Sequence, residues 1–183
     1  TNIKNWAVCK INKVAKGFQN LGVKKGDRIG LCLPNCPYHV ISYFAAMKIG
    51  ATVVNFNPLY TQEEIRNQII DGGVIVMVTL NLKSIYPKVE AALDGTSLRT
   101  IIVGSLSDAL PPVKELLFNI LKRSQISKIS ADIRIIPFEK LTSQGGHPEP
   151  VHIDAVTDIA LLQFTGGTTG IPKGAMLTHA NLT

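Results

Sequence analysis

Five short runs of residues, 28–33, 52–56, 74–79, 99–103 and 158–164, are apolar at nearly every position rather than at every second one. A strand with one wet face alternates apolar and polar side chains, whereas a strand apolar throughout is buried on both faces. Longer stretches precede and separate the first four runs, and their apolar residues recur at helical spacing, as with Ala7, Ile11, Val14, Ala15 and Phe18 ahead of the first. Strands buried on both sides and alternating with helices mean βαβ units and a mainly parallel sheet, so the fold class is α/β.

Local chemistry punctuates the alternation. The first helix should stop at Gly22, where a left-handed C-cap is expected, and residues 24–27 read as a turn. Pro37 suits the first turn of a helix over 38–49, with Gly50 beyond its end. Asn57 and Pro58 mark a turn, and Thr61 with Glu64 has capping-box spacing for a helix reaching about Asp71, closed by Gly72 and Gly73. A further helix is expected over 84–93.

The chain of 183 residues divides by pattern into a βαβ region (1–103), an irregular insert and linker (104–150), and a stretch (151–183) with a strand, a glycine-rich loop and the start of another helix. In the insert, Val113, Leu116, Leu117, Ile120 and Leu121 share a helical face beside Lys114, Lys122 and Arg123. A core-packed helix is the ordinary reading of that pattern, and peripheral contact of the segment from Val113 to Arg123 with an anionic membrane surface stays open.

Net charge is +6, but residues 1–50 carry +7 and the remainder −1. The lysines at 4, 10, 13 and 16 fall opposite the apolar stripe of the first helix, as on an ordinary solvated face, and aromatic residues make up only 6% of the chain. Nucleic-acid binding, which wants aromatics interleaved with the basic residues, is therefore disfavoured. Cys9, Cys32 and Cys36 lack the spacing of a metal knuckle or redox pair, and His39, His147 and His152 have no metal-like spacing. No run reaches the roughly 20 apolar residues of a membrane span, and residues 1–6 lack the pattern of a secretory signal, so a cytoplasmic location with reduced thiols is expected.

The chemistry concentrates at Thr165-Gly166-Gly167-Thr168-Thr169-Gly170-Ile171-Pro172-Lys173-Gly174, directly after an apolar strand. Glycines let backbone amides approach an anion closely, threonine hydroxyls add donors or a magnesium ligand, and Lys173 supplies charge for a polyphosphate. The loop is not a Walker A motif, because Pro172 precedes the lysine and Gly174 follows it. A dinucleotide-binding fingerprint is also missing, since the first strand runs into Leu33-Pro34-Asn35-Cys36-Pro37.

This loop, with Ala175-Met176-Leu177-Thr178-His179-Ala180-Asn181-Leu182 after it, resembles the phosphate-binding signature of the adenylate-forming (AMP-binding) superfamily of acyl-CoA synthetases, luciferases and adenylation domains. Earlier segments agree in order: the stretch from Leu21 to Arg28, then Leu33-Pro34-Asn35, then Gly50-Ala51 leading to Asn57-Pro58-Leu59-Tyr60-Thr61. Within the superfamily the pattern looks most like bacterial long-chain fatty-acid–CoA ligases.

The resemblance implies that a fatty acid attacks the α-phosphate of ATP to give an acyl-adenylate and pyrophosphate, after which coenzyme A displaces AMP. It implies phosphate binding by Thr165, Gly166, Gly167, Thr168, Thr169, Gly170 and Lys173. Thr165 would also contribute to a Mg2+ site whose acidic partner lies outside this sequence. His179 and Asn181 would be structural, with Thr178 the N-cap of the next helix. Later family motifs and a C-terminal domain are not in the sequence, so it reads as part of the large N-terminal domain and is expected to be inactive alone. Adenylation of an aromatic or amino acid, a non-catalytic nucleotide-binding or membrane-docking module, and a homodimer stay open.

Overall fold

A computed structural model describes residues 3–107, 123–143, 146–165 and 173–182. The loop residues 166–172 and the insert residues 108–122 therefore lie outside the described residues.

Seven strands form one sheet, in the order β5-β4-β3-β1-β2-β6-β7. They are β1 (Arg28–Cys32), β2 (Thr52–Asn55), β3 (Val74–Leu80), β4 (Thr100–Gly104), β5 (Ile135–Pro137), β6 (Ile159–Thr165) and β7 (Lys173–Thr178). All neighbours are parallel except β6 and β7, which pair antiparallel. The sheet is thus the mainly parallel α/β sheet that the apolar runs require, and it draws strands from all three stretches of the sequence.

Helices cover both faces. On one side α1 (Ile3–Asn20), α2 (Pro37–Lys48) and α5 (Phe138–Ser143) close a core containing Phe18, Ile29, Val53 and Val78. On the other, α3 (Gln62–Gly72) and α4 (Tyr86–Glu90) pack over Ile69, Met77, Tyr86 and Ile101. Burying apolar side chains on both faces supplies the main favourable term for such a sheet, at roughly 25 cal/mol per Å² of apolar surface.

The turn chemistry falls where the sequence puts it. Gly22 has φ 82° after α1, and Gly50 has φ 69° beyond α2. Thr61 and Glu64 form a complete capping box, in which Glu64 N–H donates to Thr61 Oγ1 and Thr61 N–H to the Glu64 carboxylate. Gly73 ends α3 in the left-handed conformation at φ 56°.

Three expectations need correction. The helix expected over 84–93 shrinks to Tyr86–Glu90, because a proline sits in its first turn and the chain after it turns at Gly95. That turn is fastened by Arg66, whose guanidinium donates to the carbonyls of Asp94 (2.7 Å) and Gly95 (2.9 Å). Residues 135–143, read as irregular, contain β5 and α5, which extend the sheet and cover its edge. Residues 173–178, where no strand was expected, form β7; a 3-10 turn at His179–Asn181 follows, with Thr178 in a reciprocal cap with Asn181 at the place where the next helix was expected to start.

Asn81 fastens both ends of the stretch between β4 and β5. Its side-chain oxygen accepts from Leu106 N–H (3.0 Å), and its carbonyl accepts from Ser127 N–H (2.8 Å).

Helices α1 and α5 meet where Gly17 lies against Leu141. A Cβ at position 17 would come 2.8 Å from the Leu141 carbonyl oxygen. Helix propensity alone favours alanine over glycine by about 1 kcal/mol. The clash is with backbone, which yields poorly, so overpacking should outweigh that gain, and Gly17→Ala is expected to destabilise by about 1–3 kcal/mol. Urea unfolding reads the sign directly: a lowered midpoint is the expected result.

Candidate functional site

Strand β6 is the strand that carries the loop, and its neighbours determine where the loop stands. Val53, Val54 and Asn55 of β2 pair with Leu161, Leu162 and Gln163 of β6. The β2 ladder ends there, while β6 runs two residues further with β7 as its partner, through Phe164↔Gly174 and Thr165↔Lys173. The last pair brackets residues 166–172, so the loop is the connection of an antiparallel hairpin whose stem overhangs the carboxyl ends of the parallel strands. Ligands in open α/β sheets bind outside those ends.

Of the residues assigned to phosphate binding from sequence, Thr165 and Lys173 are thus brought face to face in the ladder. Gly166, Gly167, Thr168, Thr169 and Gly170 lie outside the described residues. Residues 113–122 of the insert do too.

Beside the stem stands the connection from β2 to α3, and it is heavily fastened. Asn57 closes it on itself, its Oδ1 accepting from Leu59 N–H (3.0 Å) and its carbonyl from Tyr60 N–H (3.0 Å). The Lys88 ammonium, reaching over from α4, donates to the carbonyls of Pro58 (3.0 Å) and Tyr60 (2.6 Å). Hydrogen bonds from Thr61 hold the Glu64 carboxyl below the usual carboxylate range. Leu59 is left 87% exposed at the tip of this rigid turn.

Three amides join the two substructures. Gln68, buried on α3, donates from Nε2 to the Asn55 carbonyl (2.8 Å), and Asn55 Nδ2 donates to Gln163 Oε1 (3.2 Å). Asn55 Oδ1 is shielded from solvent and has no hydrogen-bond partner. Sequence reasoning singled out neither these amides nor Lys88. The signal for the amides was polarity at apolar positions: Asn55 and Gln163 sit in otherwise apolar strands, and Gln68 shares a helix face with Ile65 and Ile69.

The start of β6 is held by charge. Asp158 accepts from the Lys25 ammonium (2.6 Å) and from Asp154 N–H (2.7 Å), which pulls its carboxyl below the usual range. A cleft of about 260 Å³ opens at this amino end, with Lys25, Arg28, Thr52, Asp158, Leu162 and Met176 among its lining residues. It lies at the opposite end of β6 from the glycine-rich loop.

The remaining candidates are structural. Burial pushes the Cys32 thiol up to about 12, so it stays protonated and unreactive near neutrality, and all three cysteines are free. His39 stacks on Tyr43. Among the described residues no three His, Cys, Asp or Glu side chains converge on a common metal position. No described helix is long and apolar enough to cross a membrane.

The model of the AMP-binding enzyme family matches residues 7–183. The chain belongs to that family. It is 38% identical, over 93% of its length, to a long-chain-fatty-acid–CoA ligase of Bacillus subtilis (strain 168). It is 31% identical, over 94% of its length, to a Dictyostelium discoideum protein named Probable 4-coumarate–CoA ligase 3. A solved long-chain-fatty-acid-CoA ligase from Archaeoglobus fulgidus superposes with a TM-score of 0.73 at 26% identity, over 96% of this chain and 30% of that one. The chain likewise spans 30% of the length of the two sequence relatives.

Several carboxyls here are held low by hydrogen bonds: Glu64 by Thr61, Asp158 by Lys25, and Asp132, down to about 2, by Arg134. In the unfolded chain they return to the ordinary carboxylate range near 4. Below that range the unfolded chain binds more protons than the folded one, so stability present at neutral pH is lost as the solution is acidified. Urea midpoints are expected to fall between about pH 5 and pH 2, and Lys25→Met should flatten the part of the curve that belongs to Asp158.

Proposed function

We propose that this AMP-binding chain supplies the nucleotide-phosphate-binding part of an acid–thiol ligase that activates long-chain fatty acids with ATP and transfers them to coenzyme A. The observation that carries the reading is the hairpin. In the sequence a stretch rich in glycine and threonine joins Thr165 to Lys173, whose backbone pairing closes a ladder at the carboxyl ends of the parallel strands. The 38% identity to a ligase named for long-chain fatty acids supports that acid class.

In this reading the backbone from Thr165 to Gly170 cradles the β- and γ-phosphates, and Lys173 neutralises charge on the departing pyrophosphate. Preorganised donors and a fixed cation stabilise charge as it develops without reorganising at the moment of reaction. Magnesium, held in part by the Thr165 hydroxyl with an acidic partner elsewhere in the protein, would add Lewis-acid charge to the same phosphates. In this reading the whole protein acts inside the cell on fatty acid, ATP and coenzyme A, and not on nucleic acid.

A second reading keeps the adenylation chemistry and changes the acid. The relative named for 4-coumarate, at 31% identity, favours an aromatic carboxylate.

Carboxylate-dependent exchange of pyrophosphate into ATP by the whole protein separates the two. Exchange is expected with fatty acids of long chain, and Thr165→Ala should lower it about 100-fold, the scale for losing one donor to developing charge. Exchange with aromatic acids alone would install the second reading, and exchange with no carboxylate would refute both. The 183-residue chain by itself is expected to form no acyl-CoA.

A further inference from the structure

The stem of the loop leaves the sheet two residues beyond its last β2 partner, so something at that exit must fix its direction. Backbone pairing does so on the β7 side only. On the β2 side the last tie is a side-chain bridge, Asn55 Nδ2 to Gln163 Oε1 at 3.2 Å, with the Asn55 carbonyl anchored in turn by buried Gln68. Two amides are an unusual choice in strands whose other members at this level are Val53, Val54, Leu161 and Leu162. An apolar pair would fill the space without demanding partners. The bridge also leaves one atom of Asn55 shielded from solvent and unpartnered. Whichever way the two terminal amides are turned, one polar atom of Asn55 meets Gln163 and the other meets nothing. A buried polar group without a partner is retained against its desolvation penalty, and here it stands at the base of the loop.

We propose that Asn55 is a positioning residue for nucleotide binding. Its bridge to Gln163 sets the direction in which the Thr165/Lys173 stem leaves the sheet, and its spare amide atom is reserved for a polar group that arrives with the nucleotide. The inference rests on the phosphate-binding reading of the loop and adds to it a residue on a different strand, 110 positions from Thr165 in sequence. Asn55 touches no reacting atom. Its effect runs through the stem, so it should alter the affinity for ATP and pyrophosphate and leave the recognition of the acid alone.

The test is the dissociation constant for Mg-ATP, measured by calorimetry on the whole protein, with the KM for the acid measured alongside. Asn55→Ala removes bridge and spare atom together. Gln163→Met keeps the volume of Gln163 and removes the bridge alone, which guards against a variant that merely fails to fold. The reciprocal exchange, Asn55→Gln with Gln163→Asn, restores an amide pair over the same span. Each single substitution is expected to weaken Mg-ATP binding about tenfold, the scale of one lost hydrogen bond. The KM for the acid should stay within twofold, and the exchanged pair should recover most of the affinity. Single variants that bind Mg-ATP as the parent does would overturn the role of Asn55 and leave the proposed function standing. Equal weakening in the exchanged pair and the single variants would reduce Asn55 to packing and overturn it too. A parent protein that binds no Mg-ATP would overturn the phosphate-binding reading together with this one.

Discussion

Everything in the candidate site depends on the backbone ladder between β2 and β6. These strands are parallel, so their pairing requires a long connection, and more than a hundred residues lie between them in sequence. Once β6 is seated, β7 can fold back on its free side, which brings Thr165 and Lys173 into register. Thr52, at the other end of β2, repeats the tie: its hydroxyl donates to the Ile159 carbonyl at 2.8 Å. The strand is therefore fixed at its start by Thr52 and the Lys25–Asp158 pair, and at its exit by Asn55.

The charge asymmetry of the sequence has a matching structural account. Lys16 and Lys25, in the basic first fifty residues, meet carboxylates on the chain that returns toward β6. Glu149 pairs with Lys16 at 2.9 Å while its backbone exchanges two hydrogen bonds with the Gln19 side chain. Asp158 then takes Lys25. Exposed pairs of this kind are individually worth little, roughly 0–1 kcal/mol. Their value is directional: together with the Gln19 bonds they lay residues 149–158 along α1 and deliver β6 to β2.

How much of this could be read from sequence depended on the range of the interaction involved. Features decided within a few residues were legible: the Thr61/Glu64 box, the left-handed glycines at 22, 50 and 73, and the strands buried on both faces. β5 was not, because three residues, Ile135–Pro137, carry too little periodicity and are a strand only because β4 offers an edge. The shortening of α4 depends on Arg66, a residue of another helix, gripping the turn after it. At the site, the glycine and threonine content announced phosphate chemistry. The amides of Asn55, Gln68 and Gln163 gave only a weak signal, polarity in apolar surroundings, whose meaning depends on strands and helices that meet through tertiary structure.

The ladder that carries the site is also among the most non-local contacts in the chain, with Asn55 and Gln163 separated by 108 positions. Closing so long a loop is entropically unfavourable until the elements between have already collapsed, and non-local pairings of this kind form slowly. β1, β3 and β4, whose partners are nearer in sequence, can assemble first and present β2 as a waiting edge. The hairpin is then among the last parts of the sheet to be installed, so the stem of the proposed phosphate loop is in place only once the sheet is complete. The same order leaves apolar β6, which reads Ile-Ala-Leu-Leu-Gln-Phe-Thr, exposed for longest during folding. That strand is where a slow or interrupted fold would be most open to pairing with another chain.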